Sequence, residues 1–201
     1  MITLAIDTST SQGSVAMIEN GKVILNDQFM ADRSHSASLF ITLERVLGEV
    51  TKIDQIAIGL GPGSYAGVRI SIAAALGLQL AHGAELVGLP SVAALSAELG
   101  DYLAIGDARR ETFYFTHVQD GVCTDGPRLC TEGELHETLS RFPGHQVFAS
   151  AALLAFPEAQ IVQPSAAVLG RLAAAERGIT ARGDLEPIYL REPHITQPKA
   201  R

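Results

Sequence analysis

The chain changes hydrophobic period several times, and the changes recur in order. Residues 2–6 are a short, largely apolar run that ends in Asp7-Thr8-Ser9-Thr10. Residues 14–18 and 23–29 then flank Asn20-Gly21, a pair that favours the tight turn of a β-hairpin. The same order returns after residue 100. A run over 102–105 leads into Asp107-Ala108-Arg109-Arg110, and a second run over 112–118 precedes Asp120-Gly121. Helical spacing follows in each half. Ser34 caps a pattern with Leu39, Leu43, Val46 and Leu47 on one face, and Thr131 with Glu134 forms a capping box ahead of Leu135 and Leu139. Ser165 opens a further helix through Val168, Leu169 and Leu172, with Gly178 as its expected stop. Two repeats of strand, acidic turn, hairpin and helix predict an α/β fold with two related lobes, 1–100 and a smaller 101–201, rather than a Rossmann unit.

Between the first hairpin and the second half lies the most informative stretch. A β-branched run over 53–58 reads as a buried strand, residues 59–67 carry four glycines and Pro62, and residues 68–81 read as a helix of about four turns. Glycine permits positive φ and close backbone approach in such a turn, and Pro62 stiffens it. Two readings stay open here, a tight strand-to-helix turn and an anion-binding loop. A Walker-type loop requires Lys and Ser or Thr after its last glycine, whereas Gly67 is followed by Val68-Arg69. A dinucleotide fingerprint begins with Gly61-Pro62-Gly63, yet position 66 is Ala and the next acid downstream is Glu85.

The helix after this loop has almost no polar stripe, which predicts burial all round. Its small residues at 73, 74, 75 and 77 let a second helix approach closely. The cover is either the rest of the monomer or, on one side, a partner protein.

Composition narrows the classes. With 201 residues, 47% hydrophobic and 18% charged, the chain suffices for one sizeable core or two small lobes. It begins on a strand pattern without a basic and apolar leader and holds no membrane-length apolar run, so the expectation is a cytoplasmic protein with no membrane role. Cys123 and Cys130 form no paired metal motif and read as free thiols. A formal charge of −7 disfavours tight autonomous binding of RNA. Basic residues gather late, at Arg182, Arg191, His194, Lys199 and Arg201, where Pro193 and Pro198 suggest an extended tail, either solvated or in contact with a partner or tRNA.

The parts of a catalytic site are hard to find. Six histidines include no i, i+4 pair, so no helical metal motif is read and no metal is expected. Ser64 follows Pro62-Gly63 rather than sitting in the G-x-S-x-G elbow of a hydrolase, which makes a peptidase poor chemistry. His35, in Ser34-His35-Ser36, reads as a capping or interface residue more readily than as a base. No catalytic residue is assigned.

Four segments together resemble one family. Gly61-Pro62-Gly63-Ser64-Tyr65-Ala66-Gly67-Val68-Arg69 is similar to the G-P-G-S-[FY]-[TA]-G-[LV]-R signature of the bacterial TsaB (YeaZ) proteins. Residues 4–9, Asp107-Ala108-Arg109-Arg110 and Glu186-Pro187-Ile188-Tyr189-Leu190-Arg191 resemble that family's opening loop, its central motif D-A-R-[RM] and its closing motif E-P-x-Y-L-R. The resemblance implies the actin, hexokinase and Hsp70-like (ASKHA) fold. It implies a non-catalytic subunit needed for threonylcarbamoyladenosine in tRNA, which pairs with and activates the transferase TsaD, with the ATPase TsaE recruited and TsaC making the adenylate. It further implies homodimerisation when alone, tRNA contact mainly through the complex, and an interface on two helices. The interface candidates are His35, Leu39, Phe40, Leu43, Tyr65, Arg69, Ile70, Ala73, Ala74 and Gly77. In the ASKHA fold, acidic turns help hold a metal–nucleotide complex between the lobes, so Asp7 and Asp107 with Gly61, Gly63 and Ser64 are candidates for nucleotide or phosphate, with ATP or ADP at a subunit junction. Asp7 and Asp107 read more readily as turn-formers through side-chain to backbone hydrogen bonds. The alternative function is a small ATP-binding kinase or ATPase of the same fold.

Overall fold

The computed structural model describes residues 1–30, 35–48, 50, 52–96 and 100–191. The expected cap at Ser34 and the tail residues Pro193, His194, Pro198, Lys199 and Arg201 lie outside them.

The first hairpin forms where the alternation and Asn20-Gly21 require it. Strand β1 (Ile2–Asp7) pairs antiparallel with β2 (Gln12–Glu19), and β2 with β3 (Lys22–Met30). Asn20 and Gly21 take φ of 49° and 80°, the left-handed pair that suits the twist of a two-residue hairpin. Helix α1 (His35–Leu47) then leads to β4 (Gln55–Gly59), which lies parallel to β1. Helix α2 (Tyr65–His82) is the crossover to β5 (Glu85–Leu89), parallel to β4.

The second half repeats the plan. Strands β6 (Asp101–Asp107), β7 (Thr112–Gln119) and β8 (Val122–Thr131) make an antiparallel meander, with Asp120 and Gly121 at φ of 50° and 76°. Helix α3 (Glu132–Ser140) starts on the expected capping box, Thr131 accepting from the Glu134 N–H while Glu134 accepts from the Thr131 N–H. Strand β9 (Val147–Ala149) runs parallel to β6, and β10 (Gln160–Ile161) parallel to β9. Helix α4 (Ala166–Ala174) and a short β11 (Ala181–Arg182) close the described region.

The sheet orders β11-β5-β4-β1-β2-β3 and β10-β9-β6-β7-β8 therefore share one core of five strands, third, second, first, fourth, fifth. This is the two-lobed α/β architecture read from the repeat. A cut at residue 100 would divide the first sheet, because β11 pairs with β5, and would part α4 from the sheet it packs on.

Strand alternation explains the layers. Leu4, Ile6, Val15 and Met17 face α1 and α2, meeting Leu39, Leu43, Val68 and Ile72. Ala5, Ala16 and Ile18 point the other way onto Val168, Leu169 and Ala173 of α4. In the second sheet Leu103, Ile105 and Phe115 pack on Leu135 and Phe156. Helix α4 stops at Ala174 rather than running to Gly178, because Glu176 turns left-handed at φ 57° and the Arg177 N–H closes on the Leu172 carbonyl at 2.9 Å. Among the described residues no helix is long and apolar enough to cross a membrane.

Candidate functional site

The glycine loop between β4 and α2 folds down on the loop after β1. The Ser64 N–H donates to the Ser9 carbonyl at 2.6 Å, and the Thr8 hydroxyl donates to the Gly67 carbonyl at 2.7 Å. A Cβ on Gly63 would sit 2.1 Å from the Ser9 carbonyl oxygen, and one on Gly67 1.9 Å from that of Thr8. Glycine is therefore required by backbone-on-backbone contact. Ser64 is the N-cap of α2, its hydroxyl accepting from the Gly67 N–H at 3.1 Å. The Gly61 N–H donates to Ser91 Oγ at 2.9 Å, where a 3-10 turn (Ser91–Ala94) begins. The N–H groups of Gly61, Ser64 and Gly67 are thus spent on protein partners, the arrangement of a tight turn.

Asp7 is fully buried. Its Oδ1 accepts from the Ser9 N–H at 2.9 Å and the Ser9 hydroxyl at 2.7 Å, an Asx turn. Its Oδ2 points at Gly59, close enough that a Cβ there would lie 1.8 Å away, and has no partner in hydrogen-bond geometry. Burial pushes the carboxyl up, while the nearby Ser91 hydroxyl and the Ser9 groups pull it back. Asp107 is exposed, and its Oδ1 accepts from the Arg109 N–H at 2.6 Å. One carboxylate is sealed in the core and the other closes its own turn. Ser64, spent on its helix, makes no hydrogen bond to a histidine or carboxylate among the described residues.

The surface made by α1 and α2 is of another kind. Helix α2 is not buried all round: Ser71, Ile72 and Ala75 face the core, whereas Ala73, Leu76, Gly77 and Leu80 face outward. Leu80 is 89% exposed, Ile41 67% and Phe40 55%. Between the helices runs an apolar groove of about 470 Å³, lined by Phe40, Leu43, Leu47, Ala73, Gly77 and Leu78 among others. Tyr65 and Arg69 continue the same face, the guanidinium 4.9 Å from the Tyr65 ring centroid.

The interface candidates differ in how far they reach the surface of the single chain. Leu39 has no exposure and points at the sheet, and Leu43 reaches the surface only at the groove floor. Ala74 is mostly buried and Ile70 half-buried. The side chain of His35 lies outside the described residues. Sequence reading missed Ile41, Leu76 and Leu80, although their positions in apolar helices beside Phe40 and Gly77 carried the signal. It also missed Ser91, for which a lone serine after Pro90 offers none.

The closing segment meets this region too. The Ile188 N–H donates to the Leu60 carbonyl at 2.8 Å, and Tyr189 stacks on Tyr65. Two sequence segments singled out separately thus touch.

Known proteins resemble the chain over most of its length. The family model of TsaD, tRNA N6-adenosine threonylcarbamoyltransferase, matches residues 27–169. The tRNA threonylcarbamoyladenosine biosynthesis protein TsaB of Haemophilus influenzae is 29% identical, covering 94% of this chain and 92% of that protein. Its Escherichia coli namesake is 27% identical, with 94% of each covered. A crystal structure from Pseudomonas aeruginosa, described as similar to peptidase YeaZ, superposes with a TM-score of 0.74 at 23% identity, covering 94% of this chain and 99% of that one. That superposition carries the fold.

Proposed function

The chain belongs to the TsaB (YeaZ) branch of the TsaD family, and from that premise we propose that it is the non-catalytic partner of a TsaD-type transferase. Its role is in the biosynthesis of threonylcarbamoyladenosine in tRNA. The observation that carries the partner role is the uncovered apolar face of α1 and α2, where Phe40, Ile41, Leu76 and Leu80 stand exposed around a groove. Leaving such a face in water is unfavourable by roughly 25 cal/mol for each Å² that a partner would cover. Small residues Ala73 and Gly77 line the groove and admit a close helix.

Covering that face would favour one arrangement of the partner's cleft, an activation that needs no reacting group here, only unequal affinity for two states. Alone, the same face would close on a second copy, and a TsaE-like ATPase would join the assembled pair. The acidic chain leaves tRNA to be gripped mainly by the other subunits, in the cytoplasm. The two lobes divide the labour, with 1–100 carrying the docking helices. The ATP-binding alternative has fewer free loop donors to work with, since Ser9, Ser64 and Ser91 occupy three of them.

Affinity purification from native cells tests the reading. The wild-type chain should recover a TsaD-like subunit, and the variant with Ala73→Arg and Gly77→Arg should lose it with its melting temperature within a few degrees of wild type. Equal recovery by both chains rules out this face.

A further inference from the structure

Three metal-ligating side chains converge in the second lobe, far apart in sequence. Asp101 opens β6, His117 stands on the neighbouring β7, and His145 lies just before β9. Asp101 pairs with Gln119 and Leu103 with His117 in the antiparallel register, which puts Asp101 and His117 diagonally opposite on one face. His117 Nε2 lies 2.7 Å from Asp101 Oδ1, and His145 Nε2 lies 3.5 Å from the same oxygen. One ligand atom from each residue falls within 4.8 Å of the other two.

We propose that Asp101, His117 and His145 form a divalent transition-metal site, best suited to Zn²⁺, with a fourth position open to water. Two imidazoles and a carboxylate are the borderline donors this ion takes at about 2.0–2.2 Å. In a tetrahedron of that bond length neighbouring ligand atoms stand roughly 3.3 Å apart, and the separations of 2.7 and 3.5 Å bracket that spacing. A small outward shift of one imidazole admits the ion.

The surroundings hold the ligands in place. The Gln119 amide donates to Asp101 Oδ2 at 3.2 Å, leaving Oδ1 turned toward both imidazoles, the kind of outer partner that orients a ligating carboxylate. Phe142 packs edge-on against both rings, with centroids 4.9 Å from His117 and 5.4 Å from His145. His145 Nδ1 is buried without a hydrogen-bond partner, so that ring's polar engagement is through the Nε2 aimed at Asp101. Asp101 itself is exposed, which gives an ion a way in. A bound ion would tie the segment after α3 to the β6–β7 hairpin, away from the α1–α2 face. The site does not depend on the proposed partnership.

Equilibrium dialysis of the full chain against micromolar zinc, with cobalt absorption as a second probe, tests it. One zinc per chain is expected, with a cobalt spectrum of tetrahedral nitrogen and oxygen ligation and no thiolate band. His117→Gln and His145→Ala should each weaken binding by about 100-fold or more, Gln119→Ala by about 10-fold, and His82→Ala not at all. His145 sits in a loop, so its variant should keep the far-UV circular dichroism of the parent and separate lost binding from lost folding. No zinc retained, equal binding by the His145→Ala variant, or a thiolate band from Cys123 or Cys130 would overturn the site and leave a hydrogen-bonded triad.

Discussion

Tyr189 stacks on Tyr65 with ring centroids 5.3 Å apart and planes inclined by 27°, fastening the closing segment of the described region to the first turn of α2. The Ile188 N–H, bonded to the Leu60 carbonyl, sets the approach one residue earlier. An offset aromatic pair contributes about 1 kcal/mol beyond its buried area, less where both rings are partly in water, as here. Tyr189→Ala should therefore lower unfolding stability in urea by about 1–2 kcal/mol, the area it buries included, and Tyr65→Ala should cost less on top of it than alone. Full additivity of the two losses would show that the rings do not act together.

Two glycines of α2 should respond with opposite sign. At Gly67 an added methyl meets the Thr8 carbonyl, which is main chain and cannot swing aside, so Gly67→Ala should cost about 3 kcal/mol. At Gly77 a Cβ meets nothing within 4 Å, and Gly77→Ala should gain about 1 kcal/mol from helix propensity. Urea unfolding of the two variants decides it, and a loss at Gly77 would mean that its face is already covered in the free protein.

Asp7 makes stability depend on pH in an unusual direction. Burial raises its folded-state pKa above 3.8, so below 3.8 both states hold the proton and the contribution is complete. As pH climbs past 3.8 the unfolded protein releases that proton first, and stability falls until the folded value is passed. Asp7→Asn removes this dependence. The stability of wild type minus variant should decline from pH 4 upward and then level off, and a difference that rises with pH would show a carboxylate stabilised as the anion.

The two thiols should be sluggish. Burial pushes Cys123 up to about 12, and it raises Cys130 as well, with Glu134 adding to the shift and Arg128 opposing it. At pH 8 both should react with a disulfide reagent far more slowly than in the urea-unfolded protein. Rapid labelling of either in the native state would contradict the burial.

Much of the fold was legible because its determinants are near one another in sequence. Asn20-Gly21 and Asp120-Gly121 take the left-handed conformations expected of them, Thr131 and Glu134 cap α3 reciprocally, and the glycine loop joins β4 to α2 where the change of period puts it. The weaker signals concerned short elements. Strands β9, β10 and β11 hold two or three residues each, too few for alternation to be read, and exist because a neighbouring strand supplies partners.

The site divides along the same line. Residue types and spacing marked α1 and α2 as apolar, a property of the sequence itself. That Leu39 is sealed while its neighbour Phe40 stands in water depends on where the sheet lies, and pairs one residue apart share every local signal. The meeting of Asp101, His117 and His145 rests on strand register and on the path through β8 and α3 that brings the chain back 28 residues after His117. Dihedral preference and period act over a few residues, so the sequence alone determined the elements, their repeat and their turns. Which apolar face finds cover, and which distant polar atoms come within 4 Å, is decided by long-range packing, and only the tertiary structure contains it.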